Sequence, residues 1–484
     1  MRISTLADRV PGETTVVGPD ASVSDVTHDS RLVKPGDLFV AVRGFESDGH
    51  LFVDEAVAAG AAAVAVDDSV DGPYSQLVVE DTRSALGLLA AAVHGDPSQR
   101  IAVVGVTGTN GKTTVTHLVE SIVTAAGMTP GVVGTVGARV AGEHVTLPRT
   151  TPEASDLQRL LREMVDAEVD VVALEVSSHA LALHRVNGTR FRIAAFTNLM
   201  QDHLDFHGDM GSYLSAKRLL FEPGLAERAV VAVDDEAGRS IATGLSIPVT
   251  TVAVEGEADM TPRDVALTMG GSTFTVETPQ GEVNARLPIP GLFNIQNALV
   301  AVAIGTALGI PDEAISAGLA AVVTIPGRFE PVDSGQPFGV VVDYAHTPDA
   351  IAAVIASARL LVTGSVIAVV GAGGDRDREK RPAMGAAASA ADVLVVTSDN
   401  PRSEDPGAII DEVVSGVPED FGVTTDPDRR NAIRTALSRA GDRDLVLILG
   451  KGHEQGQEIA GRVLPFDDRL VVAEELELLR GVEA

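Results

Sequence analysis

The sequence predicts an α/β protein of three domains, and three observations carry that expectation. Its 484 residues are two to four times the roughly 100–200 residues of a typical domain. A hydrophobic share of 45% and a charged share of 22% are those of a chain that buries ordinary globular cores. Short apolar runs alternate with segments of helical period, as parallel sheets covered by helices require, and the alternation is interrupted at two Gly/Pro-rich points.

The first unit has apolar runs at 38–42, 62–66 and 77–79. Helical patterns lie between and after them at 52–59 and 82–94. Gly95-Asp96-Pro97-Ser98 ends the last helix and sets the first boundary, giving a domain of residues 1–99. A continuous apolar run at 101–106 opens the second unit, with later strands expected at 169–176, 193–197 and 229–233. Between 265 and 287 the period changes to two, with turns at Gly270-Gly271 and Pro279-Gln280-Gly281, which reads as an antiparallel appendix. An apolar helix at 294–308 and a shorter one ending near 323 lead to Pro326-Gly327-Arg328, so the second domain spans 100–327. The third, 328–484, restarts with strands at 340–342, 366–370, 393–397 and 445–449 and a helix from Pro348.

Composition then removes whole classes of function. A formal charge of −31 argues against a general binder of nucleic acid or of anionic membranes. The absence of cysteine excludes disulfides, thiolate metal sites and cysteine nucleophiles. The N-terminus has no apolar core of signal-peptide length, and the longest apolar stretch, 298–310, is short of the ~20 residues of a membrane span. We therefore expect a cytoplasmic protein without stable membrane association; that it acts as a monomer is a separate expectation that composition does not supply. Of 37 basic residues only five are lysine, at 34, 112, 217, 380 and 451. Lys112, Lys380 and Lys451 stand in or beside Gly-rich segments, where a compact ammonium has uses that a planar guanidinium lacks.

Gly105 to Thr114 follows an expected buried strand and precedes an expected helix. Gly108, Thr109, Asn110 and Gly111 can offer backbone N–H groups to phosphates, Lys112 can reach the β- and γ-phosphates, and Thr113 can ligate Mg²⁺, with Thr114 next in the turn. Val106 stands where the strict P-loop pattern has its first glycine. Glu175 ends another strand, where open α/β sheets place ligands, and is a second candidate for Mg²⁺. The segment 197–209 carries Asp202, His203, Asp205, His207 and Asp209; that density suits a hard cation and polyphosphate, or else a solvated loop. Lys217, by itself, reads as a surface lysine.

In the third domain, Gly371 to Pro382 is either a second anion loop or a charged surface loop. Asp399-Asn400-Pro401-Arg402 and Gly450-Lys451-Gly452-His453-Glu454 each follow a strand. Arg381 and Arg402 offer forks for a carboxylate; Asp399 and Glu454 offer anions for an ammonium. That pairing describes an amino acid, with ordinary salt bridges as the alternative.

In this order, T-G-T-N-G-K-T-T, E-V-S-S-H, F-T-N-L-x-x-D-H-L-D-F-H-G, Y-L-S-A-K, N-I-Q-N-A, P-G-R-F-E, D-Y-A-H-T-P, D-N-P-R and G-K-G-H-E resemble the Mur ligases of peptidoglycan precursor synthesis over nearly the whole chain. The resemblance implies an N-terminal α/β domain for a UDP-sugar, a central P-loop ATPase domain with a mainly parallel sheet, and a C-terminal Rossmann-like domain that receives an amino acid. It implies ATP-driven amide formation through an acyl phosphate, with Mg²⁺, a UDP-N-acetylmuramoyl dipeptide and, on the strength of Arg402, meso-diaminopimelate. It further implies carbamylation of Lys217, giving a carboxylate that can hold a second Mg²⁺, and a catalytic, metal-facing role for His203. By the same resemblance Asn294 and Arg328 lie near the base of ATP, Asp343 near its ribose and His346 near the same site. Ser30, Thr150, Thr151, Ser177 and Arg185 would hold the nucleotide-sugar peptide, and Asn400, Pro401 and Gly450 would join Arg381, Asp399, Arg402 and Glu454 around diaminopimelate. Leu183 stands where some relatives have Gln, so that contact is not carried over. Ligases that add lysine, D-alanyl-D-alanine or folate-linked glutamate are the nearest alternatives; a non-catalytic ATP-binding switch is the alternative of another class.

Overall fold

In the computed structural model, which describes residues 1–45 and 47–483 with side chains as far as Arg480, three sheets carry the architecture. The first has spatial order Thr15–Val17, Gln76–Val78, Ala63–Val66, Asp37–Val40, Asp25–Thr27 and is parallel apart from its antiparallel first pair. The second runs Val249–Val252, Ala229–Ala232, Ile193–Phe196, Ala102–Thr107, Val171–Glu175, Pro130–Gly134 in parallel, then adds Gly137–Val140 and Glu143–Val145 antiparallel. The third orders Gly339–Asp343, Leu445–Leu449, Val366–Ala372, Val393–Ser398, Val423–Asp426 in parallel, with the two-residue strand Glu330–Pro331 antiparallel on its edge. The expected α/β class holds, and so does the period-two appendix, a three-stranded antiparallel sheet of Pro262–Thr268, Gly271–Thr278 and Gly281–Leu287.

Strand alternation explains the layering. Val104 and Val106 of Ala102–Thr107 face one apolar cluster with Val115, Leu118, Val119 and Ile122 of the helix Lys112–Ala125 and with the almost wholly buried helix Leu292–Ala307. Val103, one residue out of phase, faces the other cluster with Leu157, Leu161 and Met164 of Ala154–Asp166. Covered on both faces, the strand has no room for the polar alternation of a half-exposed one. The first cluster continues into Val341, Ile351, Ala368 and Val370, so the second and third sheets share apolar packing. Their C-terminal strand ends, where the sequence motifs sit, are thereby brought to one crevice.

The third sheet rests on a buried ion pair. The Arg429 guanidinium donates to Asp468 Oδ1 and Oδ2 at 2.8 and 2.7 Å, and also to the carbonyls of Ser398 and Leu449 at 3.2 and 3.1 Å. Both side chains of the pair have no exposure. Ser398 and Leu449 immediately precede Asp399 and Gly450, so one guanidinium ties together two loops of the expected amino-acid site.

Several short elements escaped the sequence reading. The strands Thr15–Val17 and Asp25–Thr27 are three residues each, too short for a period to register. The helix expected at 52–59 is a 3-10 turn Gly49–Phe52 followed by Val53–Ala58.

Removing one partner of the Arg429–Asp468 pair strands a charge in the core, so Asp468→Ala should destabilise the protein by about 3–5 kcal/mol. Chemical denaturation followed by circular dichroism measures it; a loss below about 1 kcal/mol, the range of exposed pairs, would show that the pair is not holding the third sheet.

Candidate functional site

The strand, glycine turn and helix expected of a phosphate cradle form as the spacing predicts. Ala102–Thr107 ends, Gly108 turns at φ +150°, Gly111 at φ +88°, and the helix Lys112–Ala125 begins. Gly108 has a second reason to be glycine, since a Cβ there would lie 1.9 Å from Thr197 Oγ1. Thr109 and Asn110 are fixed from the neighbouring strand end: Thr109 N donates to Asn198 O, Asn110 N donates to Asn198 Oδ1 at 2.9 Å, and Thr197 Oγ1 donates to Asn110 O at 2.6 Å.

Two lysines converge here. Lys112 Nζ donates to the carbonyls of Gly108 and Thr109, both at 2.9 Å, and Lys217 Nζ donates to the same Gly108 carbonyl at 2.8 Å. Lys217 is buried in the helix Met210–Arg218, its ammonium 4.2 Å from the Tyr213 ring centroid, and the surface reading of this residue is corrected: the helix turns it inward. Burial lowers the pKa of both amines, and Lys112 adds its charge to the burial of Lys217 and holds it well below the usual lysine value. Among the described residues neither lysine has a carboxylate within salt-bridge distance.

Glu175 sits beside the cradle. Its carboxylate accepts from Thr113 Oγ1 at 3.1 Å and from Thr135 N and Oγ1, both at 3.0 Å. Thr150 Oγ1 meets Thr135 Oγ1 at 3.1 Å, Thr151 Oγ1 donates to the Glu175 carbonyl at 2.8 Å, and Ser177 N donates to Thr151 Oγ1 at 3.2 Å. Arg185 is engaged by Glu153 at 2.9 Å. Ser30 begins the 3-10 turn Ser30–Leu32 of the N-terminal unit.

A narrow slot of about 80 Å³ leads from the cradle between the second and third units, lined by Gly111, Phe293, Asn297, Arg328 and Asp343. Asn294 stands one layer behind: it is buried, donates to Pro290 O at 2.8 Å and accepts from Asn297 at 3.3 Å. Arg328 Nη2 donates to Thr113 Oγ1 at 3.3 Å and its guanidinium lies over Tyr344. Asp343 accepts from Phe329 N and Ala345 N at 2.6 and 2.8 Å, while burial raises its pKa.

Across the crevice lies a cavity of about 530 Å³ bounded by Thr135, Thr150 and His203 on one side and by His346, Asp399, Asn400, Arg402, Gly450 and Glu454 on the other. Asp202 bridges the two sides, 3.7 Å from Lys380 Nζ and 3.8 Å from His346 Nε2. Burial alone would raise the Asp202 carboxyl, but His346, His203 and Lys380 outweigh it and hold its pKa below the ordinary value. His203, at φ +55°, packs on Tyr213 and His179, and burial lowers its pKa to about 4. Asp399 is buried, its pKa raised by that burial. Gly450 lies against it, and a Cβ there would be 2.5 Å from Asp399 Oδ2. Pro401 bends the same loop, its carbonyl pressed against Gly374.

One expected member is corrected. Arg381 has no side-chain exposure and is spent on Glu404 and Glu412 at 2.7 Å each and on the Gly373 carbonyl at 3.0 Å. No donor fork remains for a ligand. Arg376, which the sequence reading passed over, lines the cavity instead. Its recorded side-chain bond is to Asp375 O at 3.1 Å, and it makes no ion pair among the described residues. Beside it at Gly373 stands Arg402, whose Nη1 donates to Gly374 O at 2.6 Å and whose Nε lies 3.4 Å from Glu458 Oε2. Thr135 was missed altogether, while Asp202 and Lys380 were marked only as parts of the segments 197–209 and 371–382, Lys380 also by the scarcity of lysine, and given no place in the site.

His203, Phe329, Asp375 and Arg402 all have positive φ, a conformation costly for side-chain-bearing residues and concentrated at functional sites. Among the described residues no group of three or more His, Asp and Glu side chains forms a metal cage, and none of their helices is long and apolar enough to cross a membrane.

Comparison with known proteins agrees with this geometry. Residues 22–94 match the model of the Mur ligase family catalytic domain, 106–305 the Mur ligase middle domain and 327–452 the Mur ligase glutamate ligase domain. The UDP-N-acetylmuramoyl-L-alanyl-D-glutamate–2,6-diaminopimelate ligase of Streptomyces coelicolor is 45% identical over 99% of this chain and 97% of its own length. The ligase of the same name from Geobacillus thermodenitrificans is 43% identical over 97% of this chain and 98% of its own. A solved structure of a ligase so named superposes with a TM-score of 0.71 at 31% identity, covering 98% and 99% of the two chains. The MurF ligase of Thermotoga maritima in complex with ADP shares the fold, with a TM-score of 0.67 at 21% identity and coverage of 96% and 99%.

Two half-buried imidazoles near the crevice, His117 and His453, give a pH test. Burial, with Arg139 beside His117 and Arg328 beside His453, lowers their pKa values to about 3 and about 4. The unfolded chain takes up these protons near pH 6.5, so stability should fall as pH drops from there toward 4. Proton NMR should find both rings neutral at pH 5; titration near 6.5 would contradict their enclosure.

Proposed function

The chain belongs to the Mur ligase family, and from that premise we propose that it joins meso-diaminopimelate to the D-glutamate of UDP-N-acetylmuramoyl-L-alanyl-D-glutamate at the expense of ATP. The observation that carries this reading is a pair of cavities between the second and third units: a slot beside the Gly-rich turn at 108–111, and a larger one that gathers Arg376 and Arg402 with Asp399 and Glu454, charges that suit an amino acid. The reaction is ADP-forming, as in the rest of the family, and belongs to cytoplasmic synthesis of the peptidoglycan precursor. We read the chain as acting as a monomer, with domains at 1–99, 100–327 and 328–484.

The residues support the chemistry in turn. Gly108 to Thr114 would cradle the triphosphate, with Lys112 exchanging its carbonyl partners for phosphate oxygens. Arg328 and Asp343 would receive the nucleoside in the slot between units. The γ-carboxylate of the D-glutamate attacks the γ-phosphorus, forming a carboxyl–phosphate bond as ADP leaves. The uncharged amine of diaminopimelate then adds to that acyl carbon, phosphate departs, and the amine loses a proton as the amide forms. Proximity and charge stabilisation, rather than covalent participation by the protein, lower these barriers.

Mg²⁺ fits the donors present. Thr113 Oγ1 and Glu175 Oε2 lie 3.1 Å apart and are both hard oxygens, and Mg²⁺ is usually held by one or two carboxylates plus substrate phosphates, not by an all-protein cage. Thr113, Glu175 and His203 would supply its protein ligands and a Lys217 carbamate would hold a second Mg²⁺; the ions would neutralise charge on the transferred phosphoryl group. Lys217 suits carbamylation for a physical reason: burial and Lys112 favour its uncharged amine, the form that adds to CO₂.

At the far end of the amino acid, Arg402 with Arg376 would clamp the second carboxylate, while Asp399 and Glu454 face its ammonium. Lysine lacks that carboxylate and would leave exposed Arg376 without an ion-pair partner and half-buried Arg402 with only Glu458, 3.4 Å away, at a cost toward the low end of the ~2–5 kcal/mol of truncated charge pairs.

In a phosphate-release assay, turnover should require both the nucleotide dipeptide and diaminopimelate, with lysine a poor substitute. Arg402→Ala should raise KM for diaminopimelate by a factor on the order of a hundred, by that same estimate, with KM for ATP little changed. Preference for lysine would overturn the substrate assignment.

Lys217→Ala should nearly abolish turnover and regain part of it with added short-chain carboxylic acids. Carbon-13 NMR with labelled bicarbonate should show a carbamate carbonyl in the wild type that is absent from the variant. Full activity of Lys217→Ala would remove the carbamate from the mechanism.

A further inference from the structure

Lys451 is one of five lysines in the sequence and is fully buried. Its ammonium donates to Gly456 O at 2.6 Å, Glu454 Oε2 at 3.0 Å and Asn400 Oδ1 at 3.3 Å. Three N–H donors thus meet three acceptors. The acceptors belong to three segments: the loop after Val393–Ser398, the loop after Leu445–Leu449 and the start of the hairpin strand Gly456–Ile459.

Each of those acceptors leads on to the cavity wall. Asn400 Nδ2 donates to Glu454 Oε2 at 2.7 Å, and Asn400 Oδ1 also accepts from Glu458 N at 2.9 Å, so the amide is held from both ends. Gln457 Nε2 donates to Asp399 O at 2.8 Å. The same hairpin holds Arg402 in its strained backbone, with Arg402 N donating to Glu458 O at 3.0 Å and Ala460 N donating to Arg402 O at 2.7 Å. Asn400, Glu454, Asp399 and Arg402 all line the cavity; Lys451 lies at the node behind them.

We propose that Lys451 is a positioning residue for amino-acid selection: its ammonium fixes Asn400 and Glu454 against the hairpin and so presets the receptor for the amino-acid substrate. The inference rests on the amide-ligase reading above and deepens it. A guanidinium directs its donors in one plane and does not match three acceptors gathered around a single nitrogen. This gives a physical reason for lysine here in a chain that otherwise uses arginine.

The test is steady-state kinetics on the full chain, with diaminopimelate, ATP and the nucleotide dipeptide varied in turn. In Lys451→Met, KM for diaminopimelate should rise on the order of ten- to a hundredfold, the cost of a misplacement near 1 Å, with the other two KM values within about twofold. The preference for diaminopimelate over lysine should narrow, and Lys451→Arg should not restore it. If Lys451→Met does not fold, Lys451→Gln is read by the same criteria. Unchanged KM for diaminopimelate, equal losses for all three substrates, or rescue by Lys451→Arg would overturn the inference. Wild-type protein that makes no use of diaminopimelate would instead defeat the substrate reading itself.

Discussion

The carbonyl of Gly108 accepts from two ammonium groups, half-buried Lys112 and buried Lys217, and the site depends on that crowding. Two like charges at one acceptor, in surroundings that desolvate both, are unfavourable until negative charge arrives. A triphosphate in the cradle would supply it to Lys112. Conversion of the Lys217 amine into a carbamate would remove one positive charge and add a negative one. A chain of net charge −31 can therefore bind a polyanion, because the attraction is local and the long-range field of the surface is screened.

The rest of the architecture brings a second wall to this centre. Val104 and Val106 on one sheet and Val341, Ala368 and Val370 on the other belong to one apolar cluster, which sets the two rows of strand ends face to face. Polar contacts then bridge the crevice: Asp202 to His346 and Lys380, and Arg328 to Thr113. Arg328 touches the cradle threonine while its neighbour Gly327 lies against Gly452 and His453. The chain segment joining the two units thus contacts both the phosphate and amino-acid sides. Arg429 and Lys451 perform the same service within the third unit, one beneath the strand ends and one behind the loops.

Much of this was legible because local chemistry dictated it. Glycines and a lysine between a buried strand and a helix admit few uses, and the motifs at 399–402 and 450–454 follow strands whose apolar runs are unmistakable. The illegible parts depend on distant partners. Arg376, Arg378 and Arg381 are equivalent in a charge run, and only glutamates 23 and 31 residues away show that Arg381 is structural. Lys217 looked solvated because the short helix carrying it gives no sign of which face turns inward. The three-residue strands of the first sheet hold too few residues to show a period.

Oxygen tracing tests the centre of the account most directly. With ¹⁸O in the γ-carboxylate of the dipeptide's D-glutamate, attack by that carboxylate on the γ-phosphorus must carry one labelled oxygen into each phosphate released. Label in the phosphate, appearing only when all three substrates turn over together, is the expected result. Unlabelled phosphate alongside amide product would mean that the crevice joins its substrates by another route.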